Sequence, residues 1–278
     1  MKHSILVTSL LLSVSAFACG SAVNPGAADE ATDGTAAGPQ WLPAVEVGDG
    51  GASASDDTDS GEIVSGEAEV QSTSEGLSVS GWTVQLPNNT TTPGSTDKQP
   101  WYYTSGSSKI YADPTTGTTT KGSKHCRTEM RENTTWKASG TNSITVTGMV
   151  TKGSGGITIG QVFNSDDSIT LAELEYTGSG FEVFYEEAKS EGGSHPISGS
   201  TGLNKSYTYT MSLTKGVLTV KIAGGGSWST KPSSKVSGNK FYFKVGNYDQ
   251  KSTGTPTTKV SSTIHSVVEV SSLSVSHS

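Results

Sequence analysis

The chain has 278 residues, a formal net charge of −7 and only two cysteines, Cys19 and Cys126. This length allows a sizeable core, and two cysteines are too few for a disulfide-rich scaffold. The charge is unevenly divided, because residues 20–75 carry twelve acidic and no basic side chains, whereas residues 76–278 carry eighteen basic and fourteen acidic ones. The second part therefore has a net charge of +4, which suits a polyanionic ligand and is hidden by the acidic average.

The N-terminus has the pattern of an export signal. Residues 5–18 form an almost unbroken apolar run that is too short to span a bilayer, and Ala18 precedes Cys19. A small residue before cysteine is typical of bacterial lipoprotein processing. We therefore expect residues 1–19 to be a signal peptide with Cys19 as the lipidation site, so that the protein is exported and membrane-anchored. Ordinary signal cleavage and secretion is the alternative.

Residues 20–76 are rich in Gly, Ala, Ser, Asp and Glu and contain few large apolar side chains, with Trp41 and Leu42 the main exceptions. Such a segment cannot bury enough apolar surface to offset the entropy lost on ordering. We expect an acidic, disordered linker that holds the following domain away from a membrane.

In residues 77–278 the composition changes. Thr, Ser, Val, Tyr and Gly dominate, and no helical periodicity of apolar residues is present. Short β-rich runs alternate with turn residues, which predicts an all-β domain, an antiparallel sandwich or jelly roll with an open concave cleft. The predicted strands cover residues 78–86, 125–132, 142–151, 157–164, 170–176, 181–187, 206–213, 217–223, 239–248 and 262–276.

One predicted strand, from His125 to Arg131, has an ionisable side and a small or apolar side, because alternate residues share a face. The ionisable side carries His125, Arg127, Glu129 and Arg131. Charged strand faces are usually solvated, but this density of charge also suits a cleft that binds carboxylates. Cys126 is on the other side, where it is expected to be a buried small hydrophobe without a disulfide partner.

A second predicted strand, near residues 241–250, alternates in the same way. Its polar side carries Tyr242, Lys244, Gly246, Tyr248 and Gln250, and its apolar side carries Phe241, Phe243 and Val245. Gly246 is expected to leave room for a ligand. In a third strand, residues 157–164, Gln161 and Phe163 share a face.

These three segments together resemble the alginate lyase 2 group, polysaccharide lyase family 7. They read Arg127-Thr-Glu-Met-Arg131, Gln161-Val-Phe163 and Tyr242-Phe-Lys-Val-Gly-Asn-Tyr-Asp-Gln250. The family shows R-T/S-E-L-R, Q-I/V-H and Y-F-K-A-G-x-Y-x-Q in this order. Trp82-Thr-Val-Gln-Leu-Pro87 and Val270-Ser-Ser-Leu-Ser-Val-Ser-His277 are similar to its opening and closing strands, so the resemblance covers about residues 78–278.

The resemblance implies a jelly roll whose cleft cleaves a 4-linked polyuronate, alginate or a related polymer such as glucuronan, by β-elimination. Arg127 and Gln161 would neutralise the uronate carboxyl group, and Tyr248 would transfer the proton. Cations near Tyr248, namely Lys244 and Arg127, are expected to lower the pKa of its phenol. The remaining predicted substrate contacts are Arg131, Glu129, Lys244, Gln250, Phe163 and Tyr242. We expect a monomer that needs no cofactor and has no metal site.

Phe163 departs from the family pattern, which has histidine there, and phenylalanine can neither accept a proton nor neutralise a carboxylate. Three interpretations stay open: Tyr248 serves alone as base and acid, His125 replaces the missing imidazole, or the domain only binds carbohydrate. Phe163, Glu173 and Glu175 also depart from a basic lining, which leaves the polymer open. The rival function is a non-catalytic carbohydrate-binding lipoprotein on the same fold, and export argues against a nucleic-acid partner.

Overall fold

The computed structural model describes residues 77–121, 123–189 and 191–278. The predicted signal peptide, Cys19 and the acidic linker lie outside these residues, so the structure does not test them. Within the described ranges the secondary structure is all β, and none of them contains a helix long and apolar enough to cross a membrane.

Eighteen strands are found in the described part of the chain. In chain order they are β1 (Trp82–Gln85), β2 (Thr91–Pro93), β3 (Tyr102–Ser105), β4 (Ser108–Pro114), β5 (Thr116–Thr118), β6 (Thr128–Glu132), β7 (Trp136–Lys137), β8 (Thr141–Lys152), β9 (Ile157–Asn164), β10 (Ile169–Tyr176), β11 (Phe181–Tyr185), β12 (Gly193–Ile197), β13 (Ser206–Thr214), β14 (Val217–Ile222), β15 (Ser227–Thr230), β16 (Lys240–Asp249), β17 (Thr253–Thr255) and β18 (Ile264–His277).

Two antiparallel sheets form a sandwich, which confirms the predicted fold class. The nine-stranded sheet has the order β12-β11-β10-β9-β16-β6-β1-β2, with β7 beside β16. The seven-stranded sheet has the order β15-β14-β13-β8-β18-β4-β3, and a small parallel pair joins β5 to β17. Strands β9, β16 and β6 are neighbours, so the three sequence motifs lie side by side at the centre of one sheet.

The core lies between the two sheets and follows from the alternation of each strand. On β8 every second residue is buried, including Ile144, Val146 and Val150, while the threonines between them are partly exposed. On β16 Phe241, Phe243 and Val245 are fully buried. This division leaves the other side of β16, with its polar residues, free to form a site.

A β-bulge interrupts the pairing of β16 with β9 between Val245 and Tyr248, and it changes the expected role of Gly246. Gly246 has a φ of 144°, and a Cβ atom there would lie 2.7 Å from the Thr128 carbonyl oxygen and 2.9 Å from the Tyr111 ring. The prediction that Gly246 leaves room for a ligand is therefore wrong. The space is already filled, and glycine is required because β6 and the core approach so closely.

The predicted strand at residues 125–132 begins later than expected, at Thr128. His125 and Cys126 do not join a ladder, because both are held by Ser252. The Cys126 backbone N–H donates to Ser252 Oγ at 3.1 Å, and the His125 ring bonds the Ser252 carbonyl oxygen. Cys126 is buried and free, as predicted, and burial raises the pKa of its thiol to about 12. That environment is unsuitable for a nucleophile.

Candidate active site

A cavity of about 810 Å³ opens on the outer face of the nine-stranded sheet. Its lining includes six of the ten predicted site residues, namely Arg127, Arg131, Phe163, Tyr242, Lys244 and Tyr248. Lining residues that were not among the predicted site residues include Thr83 and Gln85 on β1, Ser123 before β6 and Glu173 on β10. The sheet thus assembles, from separate segments, the cleft that was expected.

Cross-strand pairing explains why these side chains meet. Lys244 lies opposite Arg131 of β6 on one side and opposite Gln161 of β9 on the other. Gln161 in turn pairs with Glu173 of β10, and Arg131 pairs with Thr83 of β1. Directly opposite residues in a sheet present side chains to the same face, so the five form one row across the cleft floor.

Glu129 lies beneath the centre of this floor and binds the side chains above it. Its side chain is 2% exposed, and its carboxylate accepts from Lys244 Nζ at 2.6 Å and from Gln161 Nε2 at 2.5 Å. Arg127 Nη1 is 3.5 Å from the same carboxylate. Burial lowers the pKa of the Lys244 ammonium, and Glu129 opposes that shift. Glu129 was predicted to contact substrate, but the structure places it beneath the floor, where it orients three polar side chains.

Gln161 and Gln250 were also predicted site residues. Gln161 is buried, and besides bonding Glu129 it accepts from Thr170 Oγ1 at 3.3 Å through its amide oxygen. Gln250 donates from Nε2 to Thr158 Oγ1 at 3.1 Å. Neither side chain is among those that line the cavity of the described chain. Both support residues that do line it or lie beside it.

Tyr248 and Arg127 are in direct contact in the cleft. The Arg127 guanidinium carbon lies 3.8 Å from the centre of the Tyr248 ring. The hydroxyl of Ser123 lies 3.1 Å from the Tyr248 hydroxyl and accepts from Arg127 Nη2 at 3.1 Å. Ser123 was not predicted, because it lies before the strand and carries no motif.

The pKa of the Tyr248 phenol is raised, not lowered as the sequence had suggested. Burial raises it most, and the opposing effects of the Arg127 charge and the Ser123 hydrogen bond do not cancel that effect. Lys244, the second cation expected to act on Tyr248, instead pairs with Glu129. The expectation was wrong because it counted charges and left out desolvation.

A model of the alginate lyase family matches residues 77–277, which include the whole cleft. The chain belongs to the alginate lyase family. It is therefore a polysaccharide lyase, and the resemblance of its motifs is confirmed. No curated protein sequence matches this lyase.

Solved structures of alginate lyases share the fold. Alginate lyase A1-II', a member of polysaccharide lyase family-7, is 24% identical, with 74% of this chain and 98% of that chain covered and a TM-score of 0.63. A variant of the same enzyme in complex with substrate (GGMG) is also 24% identical, with 74% and 96% covered and a TM-score of 0.62. An alginate lyase from Pseudomonas aeruginosa is 18% identical, with 72% and 100% covered and a TM-score of 0.63. At these identities the likeness establishes the fold.

In this lyase the position of the family histidine is occupied by an aromatic stack. The Phe163 ring lies 5.1 Å from the Tyr242 ring and nearly parallel to it. Lys244 Nζ lies 5.0 Å from the centre of the Phe163 ring, and the Arg131 guanidinium lies 5.4 Å from the centre of the Tyr242 ring. The two rings thus form one wall, here called the Phe163 wall, beside the floor cations Lys244 and Arg131. The wall can hold the face of a sugar ring and attract its carboxylate, but Phe163 itself cannot take a proton as a histidine could.

The structure places His125 behind Tyr248. The two ring centres are 6.2 Å apart, and the imidazole is not among the lining side chains of the described cleft. His125 Nδ1 lies 2.6 Å from the Ser252 carbonyl oxygen, which can only accept, so Nδ1 carries the proton. This arrangement anchors the ring away from the Phe163 wall.

Glu173 supplies a carboxylate to the cleft floor, at the end of the row away from Thr83. It accepts from Thr158 Oγ1 at 2.9 Å, and Thr158 lies opposite Tyr248 in the sheet. Burial raises the pKa of the Glu173 carboxyl group, and the Glu129 charge adds to the shift. Glu173 therefore departs from a basic lining, as the sequence indicated, and unlike Glu129 it lines the cavity.

Proposed function

We propose that this lyase cleaves a 4-linked polyuronate, alginate being the first candidate, by β-elimination. The observation that supports this most is the contact between Arg127 and Tyr248 at the cleft surface. It unites a fixed positive charge and a group that can exchange a proton, and β-elimination from a uronate needs both. Glucuronan has the same acidic C5–H and is a second candidate.

Stabilisation of the negative charge that develops on the substrate carboxyl group is the first requirement. When the C5 proton leaves, negative charge develops on the carboxyl oxygens, and donors already in place stabilise it without reorganisation. Arg127 has five N–H donors and uses two of its nitrogens in the contacts with Ser123 and Glu129. The donors that remain can bind the carboxylate, and Arg131 on the same floor can bind a neighbouring one.

Proton transfer is the second requirement, and Tyr248 can provide both halves of it. As phenolate it takes the C5 proton; the electrons of the C5–H bond form the C4=C5 double bond, and the C4–O4 bond breaks. The phenol then gives its new proton to the departing O4. Atoms and charge balance, and Tyr248 ends as phenolate, so no co-reactant is needed.

The Phe163 wall restricts the stereochemistry of this step. With Tyr248 as both base and acid, C5–H and C4–O4 must lie on the same side of the bond, which is a syn elimination. β-D-Mannuronate and β-D-glucuronate present this arrangement, whereas in α-L-guluronate the two bonds are anti. An anti elimination needs a second base across the ring, and phenylalanine cannot supply it.

A panel of polyuronates tests the proposal. Purified lyase is incubated with polymannuronate, glucuronan and polyguluronate, and the ultraviolet absorbance of the unsaturated uronate is followed. We expect product from at least one of the first two and a slower rate on polyguluronate. Retained binding with no unsaturated product from any polymer would reject the lyase proposal in favour of carbohydrate binding. Faster cleavage of polyguluronate would reject syn elimination and direct attention to Glu173 as a second base.

A further inference from the structure

Ser123 is held in a fixed position at the edge of the cleft. Its backbone N–H donates to the Thr120 carbonyl oxygen at 3.0 Å, and its own carbonyl oxygen accepts from Thr119 Oγ1 at 3.0 Å. The side chain is partly buried and lines the cavity. The main chain of Ser123 is thus tied to the preceding turn, and its hydroxyl is placed by the contacts of its side chain.

Four polar groups surround this hydroxyl. Ser123 Oγ donates to the His125 carbonyl oxygen at 2.9 Å and lies 3.1 Å from both Arg127 Nη2 and the Tyr248 hydroxyl, and the His125 N–H is at 3.4 Å. A serine hydroxyl has one proton and two acceptor sites. While the Ser123 hydroxyl donates to the His125 carbonyl oxygen, its own oxygen can accept hydrogen bonds from Arg127 and from the neutral phenol of Tyr248.

Ionisation of Tyr248 changes this pattern. A phenolate has no proton to donate, and Arg127 lies over the ring rather than beside the oxygen. Among the described residues, the Tyr248 hydroxyl has its hydrogen bond with Ser123, whose proton can turn toward the phenolate by rotation about the Cβ–Oγ bond alone. The Arg127 bond to Ser123 can persist during the rotation, because it uses an acceptor site.

We propose that Ser123 is a positioning residue that joins Tyr248 to Arg127 and donates a hydrogen bond to the Tyr248 phenolate during turnover. This inference rests on the proposed function, because it assigns a role within the same proton transfer. Ser123 itself neither takes the C5 proton nor contacts the breaking bond.

The charges around Tyr248 make a hydrogen bond from Ser123 to the phenolate important for the pKa of Tyr248. Arg127 favours the phenolate, whereas burial and the carboxylates of Glu173 and Glu129 oppose it, and the edge of the His125 ring completes the surroundings. Hydrogen bonds to a charged group contribute more than those between neutral groups. Removing the Ser123 hydroxyl should therefore raise the pKa of Tyr248 further and loosen the Arg127 guanidinium.

The test is the pH dependence of kcat/KM for wild type, Ser123→Ala and Ser123→Thr. For wild type we expect kcat/KM to rise with pH as the phenolate forms. For Ser123→Ala we expect this rise to move to higher pH by one to two units, with a loss at neutral pH of about 10- to 100-fold, the effect typical of a hydrogen bond to a charged group. Ser123→Thr, which keeps the hydroxyl, should restore most of the profile.

Controls separate the inference from folding and from the proposed function. Ser229→Ala removes an exposed hydroxyl on β15 in the other sheet and should match wild type. Melting temperatures show whether Ser123→Ala is folded. An unchanged pH profile, or an equal loss at every pH, would overturn the role of Ser123 even if the wild type is an active lyase.

A titration of the Tyr248 phenol tests the role of Ser123 even if the wild-type protein is inactive on every polymer. The phenolate absorbance of Tyr248 is obtained as the difference between each protein and its Tyr248→Phe counterpart during a pH titration. We expect ionisation at higher pH in Ser123→Ala than in wild type. Coincident titrations would contradict the inference, whereas failure of the polyuronate panel alone would reject only the proposed function.

Discussion

At the residue scale the cleft depends on one buried carboxylate, Glu129. It neutralises Lys244, orients Gln161 and lies near Arg127, yet it is shielded from substrate. The sequence identified these four residues as a set because the motifs resemble those of a known family. It did not distinguish which of them face the substrate, since that depends on burial and on the partners that each side chain finds.

Replacing Glu129 by glutamine should leave Lys244 as a buried charge without its counterion. Losing one partner of a buried ion pair costs about 3–5 kcal/mol, so we expect a fall of that size in the free energy of unfolding, measured with denaturant. Lys244→Met in the same chain should recover part of it, because the unpaired charge is then gone.

The ion pair of Asp97 with Lys109 is a matched control for this experiment. Its 2.8 Å separation is similar, but the Asp97 side chain is 43% exposed. Lys109 is itself only 7% exposed, but its ammonium also donates to Thr104 Oγ1 at 2.8 Å, and the Asp97 carboxylate is partly hydrated. Asp97→Asn should therefore cost less than Glu129→Gln. An equal loss in Asp97→Asn and Glu129→Gln would contradict the view that burial makes Glu129 special.

At the element scale the sequence was most informative where alternation is regular. Strand β9 has the predicted bounds, and β16 lies within a residue of its prediction. Strand β4 was missed because Lys109, Asp113 and Pro114 give it the appearance of a loop, yet all seven of its residues are buried. Distant partners make that burial possible, and a local pattern does not contain them.

Ser123 was missed for a related reason. It lies outside the strands, and its partner Tyr248 is 125 residues away in the sequence. The bulge on β16 was missed as well, so Gly246 was assigned to the ligand side. Contacts of high sequence separation and register shifts are thus the part of this site that the sequence did not reveal.

Asp113 on β4 provides a test at this scale. It is fully buried, and its Oδ1 has no hydrogen-bond partner among the residues that the structure describes. Burial, followed by the Asp249 charge, raises the pKa of its carboxyl group well above the usual value. The Asp249 N–H donates to Oδ2 at 3.4 Å, and His265 contacts Asp249. Because the pKa of Asp113 is higher in the folded than in the unfolded protein, its protonation stabilises the fold. This contribution is fully present below the pKa of the unfolded state, about 4, and is lost as the pH rises toward the pKa of the folded state.

Asp113→Asn should therefore stabilise the fold increasingly as pH rises. The amide keeps an acceptor for Asp249 and cannot ionise, so we expect a gain of about 1–3 kcal/mol at neutral pH, comparable to the cost of a buried unsatisfied group. Well below pH 4, where the acid is protonated in both states, the gain should be smallest. Thermal unfolding of both proteins across pH measures it, and a gain independent of pH would contradict this account.

At the scale of the whole molecule, charge is divided between two parts of the chain. Residues 20–75 are acidic, and residues 76–278 carry the basic excess. In the domain this excess includes Arg127, Arg131 and Lys244 on the cleft floor, where a polyanion would be attracted. Export and lipidation at Cys19 stay predictions.

The proposed β-elimination depends on proton transfer by Tyr248. Its most direct test is the rate of unsaturated uronate formation by wild type and Tyr248→Phe on the polymer that wild type cleaves fastest. The substitution removes only the hydroxyl, so binding should change little while kcat falls by about 100- to 10,000-fold, the usual contribution of acid–base catalysis. A Tyr248→Phe variant with the kcat of wild type would contradict this role of Tyr248.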